Sequence, residues 1–100
     1  MIKRLNESFS RKGVKYTQVY SNDEWYIYRC EAFAYKDVPY YEVFKKMVVD
    51  EKINTEGKWV KTGELTERYP SDSDFGNWAW CCMGLARCSA MMKKHSKDVI

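Results

Sequence analysis

The chain has 100 residues, of which 45% are hydrophobic and 31% charged, a composition typical of one globular domain and too short for two domains joined by a linker. No window of about 18 apolar residues is present, which excludes a membrane-spanning helix. The first eight residues turn polar at once, which is not typical of a cleaved signal sequence. We therefore expect a single domain over residues 1–100, located in the cytoplasm and not in a membrane.

The formal net charge of +3 is unevenly placed along the chain. Residues 1–15 carry a net charge of +4 and residues 93–100 a net charge of +2, so the middle of the chain has a net charge of −3. A dedicated nucleic-acid-binding domain usually concentrates its lysines and arginines on the folded body. We interpret the basic segment 1–12 and the basic C-terminus as solvated ends.

The N-terminal dozen residues leave two structures open. Ile2, Leu5 and Phe9 have the spacing of a short amphipathic helix. Two serines and a glycine nearby disfavour that helix. A short N-terminal helix is therefore an alternative to an irregular segment.

Residues 14–20 and 24–35 are rich in β-branched and aromatic residues, which predicts two strands joined by a turn at 21–23. Alternate residues of a strand lie on opposite faces. In the second strand one face has no charge and includes small residues that would let a helix approach closely. We predict that this face is the core beneath a helix; its members are Tyr26, Tyr28, Cys30, Ala32 and Ala34.

Residues 40–50 predict a third strand, antiparallel to the second, with a bulge near Lys45 and Lys46 where the alternation fails. A turn at 54–57 leads to a short fourth strand at 58–62. The region 14–66 is therefore predicted to be an antiparallel meander of three or four strands.

The last third of the chain predicts one long helix. Ser71 and Asp74 have the spacing of a capping box, and lysines at 93 and 94 suit a helix C-terminus. Apolar residues follow at helical spacing: Phe75, Trp78, Ala79, Cys82, Leu85, Ala86 and Met92. We predict a helix over 73–94 packed on one face of the sheet, an α+β fold, with Trp78 and Leu85 in the core.

The four cysteines are predicted to be reduced and mostly buried. Three of them, Cys81, Cys82 and Cys88, fall in the predicted helix without the spacing of a zinc site. Cys82 and Cys30 are expected to be neighbours under the helix, with Cys81 and Cys88 on another face, where they should react sooner if that face is exposed to solvent. We predict no metal and no cofactor.

The sequence offers little for catalysis. The only histidine, His95, lies near the C-terminus, and the five glycines are too scattered for a phosphate-binding or dinucleotide-binding loop. We therefore predict no catalytic residues and a protein that is not an enzyme.

Aromatic residues exceed what one helix can cover, because it hides only one face of the sheet. An exposed aromatic face commonly marks a protein contact. We predict a surface that binds an unidentified protein or a second copy of the chain, formed by Trp25, Ile27, Phe33, Tyr35, Phe44, Lys45, Lys46 and Trp59. The alternatives are that the N-terminal segment covers these residues, or that they stack single-stranded nucleic acid while Lys45 and Lys46 contact its backbone.

Two segments of the sequence, 40–45 and 67–80, are considered together. The run ERYPSDSDFGNWAW at 67–80, after the aromatic segment YYEVFK at 40–45, resembles small uncharacterised proteins of bacteriophages and bacterial mobile elements. The resemblance covers about half of the chain. It implies an accessory factor that binds a host or defence protein, and it carries no catalytic residues.

Overall fold

In the computed structural model, residues 2–35 and 38–96 are described, apart from the side chain of Tyr35, and they form an α+β fold of eight strands and one α-helix. Three or four strands were predicted, so the observed number is larger. The strands are β1 (Ile2–Lys3), β2 (Ser8–Arg11), β3 (Val14–Ser21), β4 (Trp25–Ala32), β5 (Tyr40–Lys45), β6 (Val48–Thr55), β7 (Lys58–Glu67) and β8 (Ala79–Cys82), and the helix is α1 (Leu85–His95).

Five of the strands form one antiparallel sheet in the order β2-β3-β4-β5-β8. Strand β4 lies in the middle, with Cys30 opposite Tyr16 and Ile27 opposite Val43. Directly opposite residues of an antiparallel pair share a face. Both faces of β4 are covered, and its side chains from Trp25 to Tyr28 are all buried.

The first face of this sheet, here called the tyrosine face, is centred on Tyr16, Tyr26, Tyr28, Cys30, Phe44 and Ala79. Tyr69 covers it with its ring edge-on to four others at centroid distances of 4.8 to 5.4 Å. Leu5, Phe75 and Trp78 pack beside it. The prediction that this face is buried is confirmed for Tyr26, Tyr28 and Cys30, but Ala32 is half-buried, Ala34 is exposed, and the covering segments are loops rather than a helix.

The opposite face, here called the helix face, carries Trp25, Ile27, Val43 and Cys82. Helix α1 packs on it through Cys88, Met91 and Met92. The helix therefore does cover one face of the sheet, but it covers the face that was predicted to be exposed.

The predicted helix over 73–94 is wrong in its first half. Ser71 and Asp74 form the expected local contact, in which the Ser71 N–H donates to the Asp74 carboxylate at 2.9 Å, but they bound only a 3₁₀ turn at Asp72–Asp74. Gly76 then adopts a φ of +94°, which glycine reaches at little cost and which ends helical geometry. Residues 79–82 pair with β5 instead, and α1 begins only at Leu85.

This shift changes two predicted core residues. Leu85 is 49% exposed, so its prediction as a core residue is wrong. Trp78 is half-buried, with its ring edge-on to Phe44 at 6.3 Å. Within the described ranges, no helix has the length and hydrophobicity required to cross a membrane.

The N-terminal residues form strands, so the short helix considered for them is not observed. Strand β1 pairs in parallel with β7, and β2 forms a hairpin with β3. Lys12 and Gly13, with φ of 52° and 77°, make the tight turn of that hairpin.

The remaining strands form a second sheet in the order β1-β7-β6. The predicted third strand divides at Lys46 and Met47, where a bulge was expected, into β5 of the first sheet and β6 of the second. Glu56 and Gly57, with φ of 52° and 82°, join β6 to β7 as a type I′ turn requires. Strand β7 continues to Glu67, well beyond the predicted fourth strand.

Candidate interaction surface

The hairpin of β6 and β7, residues 48–67 and here called the arm, exposes apolar side chains on both of its faces. Ile53 lies directly opposite Val60, and the alternation of β6 places Val49 on the same face. Trp59, on the other face, is 68% exposed. The exposed apolar residues of the arm are Val48, Val49, Ile53, Trp59, Val60 and Leu65.

Charged residues are interleaved with these apolar side chains. Lys52 lies directly opposite Lys61, a like-charge pair that disfavours the hairpin. The Lys61 ammonium lies 3.4 Å from the Asp50 carboxylate. The Lys3 ammonium donates to Glu51 at 2.5 Å, and the Thr62 hydroxyl donates to the same carboxylate at 2.9 Å.

The arm is joined to the body of the protein through the buried carboxylate of Glu67. This carboxylate accepts hydrogen bonds from the Tyr26 hydroxyl, from the Leu5 amide at 3.0 Å and from Arg4 at 2.9 Å. Burial alone would raise the pKa of Glu67, but these donors together hold that pKa below its usual value. The base of the arm is therefore fixed while its outer part is exposed.

The molecule as a whole exposes more surface than a compact chain of its mass. Its accessible surface is 7177 Å², whereas a compact monomer of 11.9 kDa is expected to expose about 6,000 Å². Its radius of gyration is 14.9 Å, against about 13 Å for a typical domain of this length. The chain therefore leaves about 1,200 Å² more surface in water than its size requires.

Three of the predicted contact residues are buried and do not form an exposed surface. Trp25 and Ile27 lie on the helix face, and Phe44 lies on the tyrosine face. The prediction assumed that one face of the sheet was uncovered. It is wrong for these residues because α1 covers one face and the loops around Leu5 and Tyr69 cover the other.

The two predicted lysines lie against buried rings. The Lys45 ammonium is 5.6 Å from the centre of the Trp25 ring, and the Lys46 ammonium is 4.7 Å from the centre of the Tyr26 ring. Both lysines are half-buried. These cation–π contacts place them at the edge of the core, away from any exposed aromatic platform on the five-stranded sheet.

Two predicted residues are exposed but lie on different elements. Phe33 is 55% exposed in a 3₁₀ turn that follows β4, and Trp59 lies on the arm. The side chain of Tyr35 is outside the described residues. Sequence reasoning missed the aliphatic residues of the arm, although the alternation in β6 and β7 together with the type I′ turn is the signal of a hairpin whose faces both need a cover.

A second candidate lies on the tyrosine face, where the Tyr69 hydroxyl donates to the Glu42 carboxylate at 2.6 Å. Burial raises the pKa of Glu42 above its usual value, although Tyr69 and Arg11 act in the opposite direction. Cys81 lies directly opposite Glu42. A cavity of about 470 Å³ adjoins it and is lined by Ala32, Val38, Tyr40, Cys81 and Met83. This cavity is open and almost wholly apolar, which suits a packing role better than chemistry.

The cysteines are separated by the sheet. Cys30 lies on the tyrosine face and Cys82 on the helix face, so the expectation that they are neighbours is wrong. Cys88 is buried beside Cys82, and burial together with that second thiol raises its pKa to about 12. Only Cys81, of the four, is exposed. The predicted pairing of Cys81 with Cys88 on a reactive face is therefore wrong for Cys88.

We expect one thiol per native chain to react with a chromogenic disulfide reagent, and the other three to react only after unfolding. The reactive group is Cys81, whose side chain is exposed although neighbouring atoms partly desolvate its sulfur. This desolvation and the Glu42 carboxylate raise the pKa of Cys81, so its labelling rate should keep rising at alkaline pH as the thiol ionises. Cys81→Ser should abolish native labelling and leave the three slow thiols unchanged. Fast native labelling of Cys82 or Cys88 would contradict the packing of α1.

The arm is suited to contact rather than to reaction. Its exposed groups are aliphatic side chains, one indole, threonine hydroxyls and ion pairs, and it contains neither a cysteine nor the histidine. His95 instead stacks on Trp80 of the body at 4.0 Å. Comparisons of this chain with protein-family models, with curated proteins and with solved structures give no match.

Proposed function

We propose that this is a non-enzymatic binding protein whose contact surface is the arm. Its partner is either a different protein or a second copy of the same chain. The observation that supports this most is the exposure of apolar side chains on both faces of a hairpin. A two-stranded hairpin is marginal in water unless a further strand or face packs on it. A partner that covers the arm supplies that packing.

The composition of the arm fits a protein contact. Tryptophan at the centre of an interface is often one of the few residues that dominate the binding energy, and Trp59 is the largest exposed side chain of the arm. The aliphatic side chains of Ile53 and Val60 lie on the opposite face of the arm, and charged residues lie at intervals along both strands. This alternation of apolar and charged groups is typical of a protein interface rather than of a buried core.

The resemblance to small proteins of bacteriophages and mobile elements suggests the class of partner. An accessory factor of that kind acts by binding a host or defence protein, and it needs no catalytic group of its own. The arm is the surface that such a partner would contact.

A photoreactive residue at position 59 tests this proposal. We expect it to crosslink a protein from a lysate or a second copy of the chain, and we expect Val60→Lys to reduce that crosslinking without changing the circular dichroism spectrum. The control is the same photoreactive residue at position 33, since Phe33 is comparably exposed on another element. Equal products from both positions, or none from position 59, would count against the arm.

Single-stranded nucleic acid is a second candidate, favoured by one observation. Trp59 shares a face of the arm with Lys52 and Lys61, which combines an exposed ring for stacking with two ammonium groups. Against it, residues 48–67 contain five carboxylates and three lysines, a net charge of −2. Binding to an oligonucleotide that falls steeply with salt and is lost in Trp59→Ala would favour this candidate over the first.

A further inference from the structure

We propose that the arm binds a second copy of itself, with strand β6 antiparallel to β6 of the second copy across a two-fold axis at Glu51. This inference rests on the proposed function and names the partner. The product is one continuous sheet of six strands, in the order β1-β7-β6 followed by the same strands reversed.

The outer edge of β6 is the strand edge best suited to such pairing. Within the described residues β6 has a strand on one side only, and it runs for eight residues. The pairing of β6 with β7 shifts register between Asp50 and Lys52. There a single residue of β6, Glu51, faces three residues of β7, which are 62–64 and include Gly63. The irregularity thus lies in β7, and it leaves β6 continuous.

The other edges are shorter or obstructed. The outer edges of β2 and β8 offer four residues each. The outer edge of β7 is covered by β1 at Leu65 and Thr66 and is interrupted at Gly63. Such bulges and short edges are how proteins prevent unwanted strand pairing, and β6 has neither feature.

The sequence of β6 is self-complementary about Glu51. With a two-fold axis perpendicular to the sheet, each residue of β6 lies opposite a residue of the second copy whose side chain is on the same face. Because side chains alternate along a strand, the numbers of two paired residues must then add to an even total. With the axis at Glu51, Asp50 lies opposite Lys52 of the second copy, and Val49 lies opposite Ile53 of the second copy. Each contact occurs twice. Each of these axes places two like charges at its centre, but an axis at Asp50 or Lys52 loses both Asp50–Lys52 ion pairs, and only the axis at Glu51 forms them.

The pairing also relieves an unfavourable contact within the arm. Lys52 lies directly opposite Lys61 in the hairpin. In the dimer Lys52 gains the Asp50 carboxylate of the second copy on its other side. On the opposite face Val60 and Ile53 become continuous with Val49 of the second copy, so that three exposed aliphatic side chains form one apolar row.

The two copies of Glu51 meet at the axis, and each is already compensated. Its carboxylate accepts hydrogen bonds from Lys3 at 2.5 Å and from Thr62 at 2.9 Å within its own chain. The axis therefore brings together two ion pairs rather than two free carboxylates.

Sedimentation of the wild-type protein over a range of concentrations is the first test, and we expect a dimer. Lys52→Asp should weaken it at least about tenfold, because two carboxylate pairs replace two ion pairs. The same substitution removes the Lys52–Lys61 repulsion, so the chain itself should remain folded by circular dichroism. The double variant Asp50→Lys with Lys52→Asp should restore the dimer. Lys58→Asp is the matched control and should leave it unchanged.

A symmetric disulfide tests the register. In a Cys81→Ser background, Glu51→Cys places two thiols opposite each other with Cα atoms about 5 Å apart, within the range that a disulfide requires. Thr55→Cys is the control, because the Cα atoms of residue 55 in the two copies would lie about 27 Å apart, on opposite sides of the axis. Rapid oxidation to a covalent dimer is expected for position 51 alone.

Each outcome separates this inference from the proposed function. A wild-type monomer at all concentrations, or a dimer that is insensitive to Lys52→Asp and crosslinks equally at position 55, overturns the pairing. If the probe at position 59 still captures another protein in that case, the proposed function stands with a different partner. If it captures nothing, both are overturned.

Discussion

Phe44→Ala is expected to lower the free energy of unfolding by about 3–5 kcal/mol, the usual cost of removing a large buried aromatic ring. Phe44 is fully buried, and its ring contacts Tyr26, Tyr28 and Tyr69 at centroid distances of 4.8 to 5.8 Å. Its loss leaves a cavity where the loop around Tyr69 meets the sheet. Urea unfolding followed by circular dichroism measures the change.

Two further variants make this prediction specific. Phe44→Leu keeps most of the volume and should cost less than about 1.5 kcal/mol. Phe33→Ala removes an equal ring from an exposed position and should change stability by less than about 0.5 kcal/mol. If Phe44→Ala cost no more than Phe33→Ala, the observed packing of the tyrosine face would be wrong.

The second large effect is expected at Glu67, where Glu67→Gln should cost about 2 kcal/mol at pH 7, in the range of hydrogen bonds to a charged group. The carboxylate accepts from Tyr26, Leu5 and Arg4, and its own side chain is almost fully buried. The amide replaces one acceptor atom with a donor that faces Arg4 or Tyr26. Urea unfolding of the two proteins at a series of pH values measures this cost.

The cost of Glu67→Gln should depend on pH in a stated direction. The pKa of Glu67 is lower in the folded protein than in the unfolded chain, so its ionised form stabilises the fold above the unfolded pKa of about 4.3. That contribution is lost as the pH falls through the folded pKa. The difference in free energy of unfolding between wild type and variant should therefore be largest near neutrality and shrink at acid pH. Other titrating groups, such as Glu42, contribute equally to both proteins and cancel in this difference.

Glu64→Gln is the control, because Glu64 lies on the same strand and is exposed. It should change stability by less than about 0.5 kcal/mol at any pH. A cost for Glu67→Gln that stayed constant between neutral and acid pH would contradict the role assigned to the charge.

Local patterns were sufficient for parts of the fold. The alternation in 14–20 and 24–35 predicted β3 and β4, although β4 ends at Ala32 and residues 33–35 form a 3₁₀ turn instead. The turn residues at 54–57 predicted the end of the arm. These features depend on contacts between residues close in the chain, such as the hydrogen bond from the Gly57 amide to Asn54. Ser71 and Asp74 were also correctly expected to interact.

The error over 73–94 has a physical cause. Residues 75–86 place apolar side chains at helical spacing, but the segment AWCC at 79–82 is apolar on both strand faces as well, so periodicity alone does not separate the two structures. Pairing with β5, in which Ala79 lies opposite Phe44, decides in favour of the strand. That contact joins residues far apart in the chain, and no local pattern reports it.

For the candidate surface too, part could be predicted from the sequence and part only from the tertiary structure. The sequence by itself determined an α+β protein with more aromatic residues than one helix can cover, and it included Trp59 among the predicted contact residues. Only the tertiary structure decided that Trp25, Ile27 and Phe44 are buried and that the arm is exposed. The reason is that exposure depends on which segments cover a face, here α1 and the loops around Leu5 and Tyr69, and those contacts are made across the fold rather than along the chain.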